Sequence, residues 1–144
     1  MFLGQYQHSL DDKGRLTIPA AFRASLAEGA FISQGYDRNL MVMTTAYFQQ
    51  VYAGVNAMSV TDATARLLRR MIFSTAYQVE VDKAGRVLVP QNLREFLGMD
   101  GEAMVVGQGE YFEVWTPGEW QRQTKSMQDV DTDPQRFQAL NLGV

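Results

Sequence analysis

Apolar positions in this chain come in short bursts at two different periods, separated by clusters of Gly, Pro and Asp. Period two marks the strand candidates: Tyr6–Leu10 with Arg15–Ile18, Ala30–Ser33 with Leu40–Met43, and Ala103–Val106 with Tyr111–Trp115. In the second of these, Leu16 and Ile18 share one face and Arg15 and Thr17 the other. Val87 and Val89 repeat the inward pair, which leaves Arg86 outward at the same place. Helical spacing takes over elsewhere. Pro19 suits the first position of a short helix running to about Leu26 and stopping near Gly29, and Pro90 to Gly98 repeats that element with Leu93, Phe96 and Leu97 packing.

Longer helices are predicted over Ala46–Ala53 and from Ala63 to about Phe73, the latter opened by the capping run Ser59-Val60-Thr61-Asp62. Leu67, Leu68, Met71 and Ile72 take one side of that helix, and Arg66, Arg69 and Arg70 the other. A last helix is expected from Gly118 to about Met127, followed by a polar tail from Asp129.

The two strand–turn–helix patterns are copies of one unit. One constant offset superposes Asp11 on Asp82, Gly14 on Gly85, Arg15 on Arg86, Pro19 on Pro90 and Arg23 on Arg94. It also carries Phe2 onto Phe73, Tyr6 onto Tyr77, Gln7 onto Gln78 and Leu26 onto Leu97. After a slip of one residue, Gly35 meets Gly107, Leu40 meets Phe112, Val42 meets Val114 and Phe48 meets Trp120. The chain therefore divides into a first unit over 1–48, a helical linker over 49–72, a second unit over 73–120, and a C-terminal helix and tail over 121–144. At 144 residues it is short for two separate cores, so the units are expected to share one. Two copies suggest a pseudo-two-fold molecule presenting two equivalent surfaces to a repetitive or symmetric partner.

Composition narrows the function classes. Zero cysteines exclude disulfides, thiolate catalysis and cysteine-ligated zinc. No apolar run approaches the length of a membrane-spanning helix, and Met1-Phe2-Leu3-Gly4 lacks the basic start of a signal peptide, so a cytoplasmic protein is expected. The net charge of −3 argues against a non-specific coat on nucleic acid. That charge is uneven: residues 99–144 carry eight acidic and three basic side chains, which leaves room for a basic face earlier in the chain.

The repeated phrase supplies the chemistry. Gly14 and Gly85 provide the left-handed conformation that closes a tight loop. Each Arg is then displayed at a hairpin tip, with Asp11 or Asp82 across the turn to hold the guanidinium in one rotamer. Arginine suits bidentate contact with guanine edges or phosphate, and Lys13 and Lys83 lie beside it. Turn chemistry alone explains the Asp and the Gly. It does not require the same Arg, in register, twice.

L-D-D-K-G-R-L-T-I-P and V-D-K-A-G-R-V-L-V-P resemble the paired signatures of the MraZ family, built from two tandem AbrB-like (SpoVT-AbrB) units. The start M-F-L-G, the linker A-R-L-L-R-R-M-I-F-S and the closing V-V-G-Q-G-E-Y-F-E-V-W are similar to it as well. The resemblance implies a strand-rich α+β fold, a pseudo-two-fold split β-barrel with flanking helices. It also implies a nucleoid-associated transcriptional regulator of the division and cell-wall gene cluster. Such a regulator binds repeated boxes of double-stranded DNA upstream of its own operon and assembles as a ring-shaped homo-oligomer. The family's D-x-x-x-R motif falls on Asp11 and Arg15, and on Asp82 and Arg86.

Other features point to less. Arg66, Arg69 and Arg70 form a secondary basic face, read either as a phosphate track or as a solvated or subunit-facing surface. His8 is the single histidine, and no Ser is placed to use it as a catalytic base, so no enzyme, small-molecule substrate or cofactor is expected. Glu110 and Glu113 read as the solvent face of a strand. Asp129, Asp131 and Asp133 alternate like a calcium loop but lack its Gly and distal Glu. Gly107-Gln108-Gly109 is a turn with no helix after it to cradle phosphate. A second reading keeps the fold and makes the acidic C-terminal region a docking segment for a protein partner, as in AbrB-type antitoxins.

Overall fold

The structure is a computed structural model that describes residues 1–129 and 135–143. Its elements in chain order are β1 (Gln5–Ser9), β2 (Arg15–Thr17), α1 (Ala20–Arg23), β3 (Ala30–Gln34), β4 (Leu40–Thr44), α2 (Thr45–Asn56), α3 (Ala63–Phe73), β5 (Tyr77–Val79), β6 (Arg86–Leu88), α4 (Gln91–Leu97), β7 (Glu102–Gly107), β8 (Tyr111–Trp115) and α5 (Pro117–Gln128). The strands form a six-stranded antiparallel sheet in the order β1-β7-β8-β4-β3-β5, and a separate antiparallel ribbon of β2 with β6. This is the strand-rich α+β architecture expected from the sequence.

The pairing exchanges strands between the repeats. β1 adds to β7 of the second repeat, and β5 adds to β3 of the first. β2 pairs with its own copy, β6, so that Leu16 lies opposite Val87, Arg15 opposite Leu88 and Thr17 opposite Arg86. In the large sheet Met41 lies opposite Glu113, with Leu40 against Val114 and Val42 against Phe112. Equivalent residues thus face each other at Leu16/Val87 and at Met41/Glu113, which places a pseudo-two-fold axis through both points.

One expectation is corrected here. Tyr6–Leu10 and Arg15–Ile18 do not form a hairpin; their strand contact is the single bridge Leu10–Leu16. A three-residue strand gains little from an isolated hairpin. Pairing β2 with β6 instead lays Leu16, Ile18, Val87 and Val89 together on the sheet, each at most 1% exposed.

The core lies between the ribbon and one face of the sheet and draws on both repeats. Phe22 sits at its centre, with ring centroids 5.1–5.3 Å from Phe2, Tyr6 and Phe112. The other sheet face is covered too, by α2 against β4, α3 against β3 and α5 against β7. Met41, Met43, Val106 and Trp115 are buried there. These covering helices start where side chains accept their free amides: Thr44 from Tyr47 N at 3.1 Å, Asp62 from Thr64 N at 2.8 Å, and Thr116 from Glu119 N at 3.3 Å.

Glu113 corrects a second expectation. It is buried, not solvent-facing, because α2 and α5 roof this face; its Oε1 accepts from Trp115 Nε1 at 3.1 Å. Glu110 is exposed. The acidic alternation at Asp131 and Asp133 falls outside the described residues. Among the described residues, no helix is long and apolar enough to cross a membrane.

Candidate nucleic-acid interface

Each repeated phrase folds into the same loop for the same reasons. Asp11 N donates to Arg15 O at 3.0 Å and Gly14 N to Asp11 O at 3.0 Å, closing a tight turn. The Asp11 carboxylate fastens it from outside: Oδ1 accepts from Lys13 N at 3.0 Å and Arg15 N at 2.8 Å, and Oδ2 from Arg15 Nε at 2.7 Å. In the second repeat Asp82 Oδ1 takes Ala84 N and Arg86 N, both at 2.9 Å, and Oδ2 takes Arg86 Nε at 3.2 Å. Both carboxyls are held below the ordinary aspartate value, first by the backbone amide of the following Arg, then by the Arg15 guanidinium at Asp11 and by the Ala84 amide and the Arg86 guanidinium at Asp82. The Asp therefore fixes both the loop and the arginine rotamer.

The glycines serve two demands. Gly14 and Gly85 have φ of 85° and 79°, which L side chains rarely adopt. A Cβ at Gly14 would also collide with the Arg94 guanidinium, and one at Gly85 with that of Arg23. Each of these arginines is tethered by its Nε to a strand end, Arg23 to Ile18 O at 2.9 Å and Arg94 to Val89 O at 3.0 Å. Backbone bonds from Ile18 N to Gly85 O (2.9 Å) and Val89 N to Gly14 O (2.8 Å) complete the clasp. Each repeat's helix thus clamps the loop of the other.

This arrangement changes where Arg15 and Arg86 lie. They do not cap two separate hairpins on two surfaces; the β2–β6 pairing brings them onto the outward face of one ribbon, with Thr17 and Leu88 between them. Their side chains are 33% and 31% exposed. The face is not symmetric in charge. Asp11 Oδ2 also lies 3.6 Å from the Arg86 terminal nitrogen, and no matching pair joins Arg15 to Asp82 among the described residues. With Nε committed to Asp11, the terminal nitrogens of Arg15 have no protein partner among the described residues. Lys13 and Lys83 stand exposed on the loops and form no ion pair among the described residues.

The secondary basic face is mostly occupied with local structure. Arg66 donates to Val60 O at 2.9 Å. Arg69 donates to Val55 O at 3.2 Å and Asn56 Oδ1 at 3.0 Å, and its guanidinium sits 5.8 Å from the Phe73 ring centroid. Arg69 pins α3 to the end of α2 and Arg66 ties it to the loop between the two helices; Arg70 is the exposed member. All three are on the far side of the sheet from the ribbon, since α3 packs on β3 from the face opposite the core. Sequence reasoning gave no role to Arg23 and Arg94, although the repeat offset had already matched them.

Comparison with known proteins agrees with this two-copy organisation. A family profile described as "MraZ protein, putative antitoxin-like" matches the chain twice, over residues 1–71 and 72–140. The chain is 42% identical over 127 residues to the Transcriptional regulator MraZ of Roseiflexus castenholzii, covering 88% of this chain and 89% of that one. It is 41% identical over 129 residues to the protein of the same name from Herpetosiphon aurantiacus, covering 90% of each. The Thermomicrobium roseum protein, likewise so named, is 42% identical over 125 residues, 87% and 88% of the two chains. Matches of that extent, over both repeats, establish that this chain belongs to the MraZ family.

Proposed function

We propose that this protein is a sequence-specific DNA-binding transcriptional regulator that reads its operator with the β2–β6 ribbon. The observation that carries the proposal is the convergence of Arg15 and Arg86 on one outward face, each oriented by a carboxylate across its own loop. A two-stranded ribbon fits the major groove of B-DNA, and an arginine held at Nε offers its terminal nitrogens to guanine O6 and N7. Lys13 and Lys83, one on each loop, are placed to meet flanking phosphates. Asp11, Gly14, Asp82 and Gly85 support the reading side chains and do not contact DNA themselves. Arg70 is the remaining candidate on the secondary face. The regulator name borne by the relatives supports the biological role.

The same reading makes the target a set of repeated boxes upstream of the protein's own operon, in the division and cell-wall gene cluster, and puts the protein in the cytoplasm on the nucleoid. A single ribbon contacts few base pairs. A homo-oligomeric ring would line up several against successive boxes, and linked weak contacts gain avidity.

Binding to the DNA upstream of the gene, measured across a salt series, tests the proposal. Wild type should show a steep salt slope, and the double change Arg15→Ala, Arg86→Ala should abolish specific binding while leaving assembly intact by light scattering. Equal binding by the double variant would refute the ribbon as the reading surface. The profile's antitoxin-like description and the acidic C-terminal region favour one second reading, a segment that holds a protein partner. Truncation after Met127 separates the two: a regulator keeps its DNA binding, whereas an antitoxin-like protein loses its partner.

A further inference from the structure

We infer that Leu88 is a specificity-determining residue of the ribbon, contacting the methyl group of a thymine and giving the pseudo-symmetric reading face a direction along DNA. The inference rests on the ribbon being the DNA-reading surface. A perfect pseudo-two-fold would present the same outward pair from each strand. Instead the first strand shows Arg15 and Thr17, and the second Arg86 and Leu88. The register puts Leu88 directly across from Arg15 and Thr17 directly across from Arg86. Opposed side chains on an antiparallel pair have Cβ atoms about 4.5–5.5 Å apart, so each arginine has a different immediate neighbour.

Leu88 is 57% exposed, although Leu16 and Val87 beside it are almost wholly buried. An isolated surface leucine needs no explanation. This one stands between two arginines on the face that would meet DNA, and it forms one apolar wall, with Tyr77, Val79 and Pro90, of an open groove of about 600 Å³ that Gln78 and Glu80 also line. Its methyl groups therefore have free space before them.

Leucine can neither donate nor accept a hydrogen bond. Pressed against a base edge, it leaves amino and carbonyl groups without their water, which costs free energy. The thymine methyl is the one apolar feature of the major groove, so it is the surface a leucine there favours. Thr17, with a hydroxyl, tolerates either kind of edge. One half-site is then read for a methyl group and the other is not, and exchanging the two halves becomes distinguishable to the protein.

The test uses a duplex selected by the wild-type protein from a randomised pool, with each thymine replaced singly by uracil, which removes only the methyl. Wild type should lose about four-fold in affinity at one thymine, the worth of one buried methyl group. Leu88→Ser, which has no methyl group, should bind that duplex with no loss on the swap, still dependent on Arg15 and Arg86. Thr17→Leu should gain a second methyl-sensitive position. Methyl sensitivity absent in wild type, or undiminished in Leu88→Ser, overturns the inference. So does a Leu88→Ser variant that changes only the assembly size, which would mark Leu88 as a subunit contact. Failure of the ribbon reading itself looks different: no duplex is selected, or binding ignores the double arginine change.

Discussion

The Asp11 carboxylate belongs to two arginines, its own Arg15 at 2.7 Å and Arg86 of the other repeat at 3.6 Å, whereas among the described residues Asp82 pairs with Arg86 alone. The two copies of one motif are therefore unequal in mechanism. Asp11→Asn should loosen both arginines and, with the ribbon as the proposed DNA-binding surface, weaken operator binding more than Asp82→Asn does. Parallel titrations of the two variants on one duplex check this; equal losses would refute the shared anchor. Both carboxyls sit below the ordinary aspartate value of 3.8, so what they contribute is complete above that pH and is lost only as pH falls through the lowered value. Binding should accordingly owe no pH dependence to these groups between pH 5 and pH 8.

Gly14→Ala forces a left-handed backbone on an L residue and displaces the Arg94 guanidinium from the loop. A cost of about 1–3 kcal/mol is expected from the strain, with more from the broken clasp. Gly85→Ala should cost a similar amount by displacing Arg23. Urea denaturation gives both values, and the helix whose protection from hydrogen exchange falls should be that of the opposite repeat.

Buried Glu113 behaves in the reverse sense to the two aspartates. Burial raises its pKa against the pull of the Trp115 indole N–H, which donates to it at 3.1 Å, with the Asp37 charge adding to the rise. A raised carboxyl contributes stability that is present below the ordinary value of 4.5 and is lost as pH rises through the elevated pKa. Glu113→Gln keeps an acceptor for Trp115 Nε1 and removes the charge. Its Tm should exceed that of wild type at pH 8 and match it near pH 4. A difference independent of pH would show that charge is not the cause.

Two conventional substitutions calibrate the fold. Phe22→Ala empties the aromatic centre of the core and should cost about 3–5 kcal/mol. Asp62→Ala removes the cap of α3 and should cost about 1 kcal/mol without touching operator binding, because α3 lies across the sheet from the ribbon. Denaturant midpoints and one binding curve per variant suffice.

Much of this was legible from spacing alone. The inward pairs Leu16/Ile18 and Val87/Val89, the β3–β4 and β7–β8 hairpins, and the helices expected from Ala63 and from Gly118, the latter opening one residue earlier at Pro117, all follow local rules of alternation, turn and cap. The partner of β2 was not legible. Alternation tells which face of a strand is buried, but nothing in Arg15–Thr17 names Arg86–Leu88 as its neighbour, and the shared anchoring by Asp11 follows only from that pairing. Glu113 was misplaced for another reason. Leu40-Met41-Val42-Met43 is apolar at every position, the mark of a strand covered on both faces, and its neighbour β8 had to be covered with it.

Strand exchange has a consequence for how the ribbon comes into being. The pairings between β1 and β7, β3 and β5, and β2 and β6 are those by which two identical small chains would dimerise, yet here both partners are joined through α2 and α3. Assembly of a complete ribbon is then a first-order event within one molecule, indifferent to dilution. Even at a handful of copies per cell, each chain carries its ribbon complete, with Arg15 and Arg86 on one face.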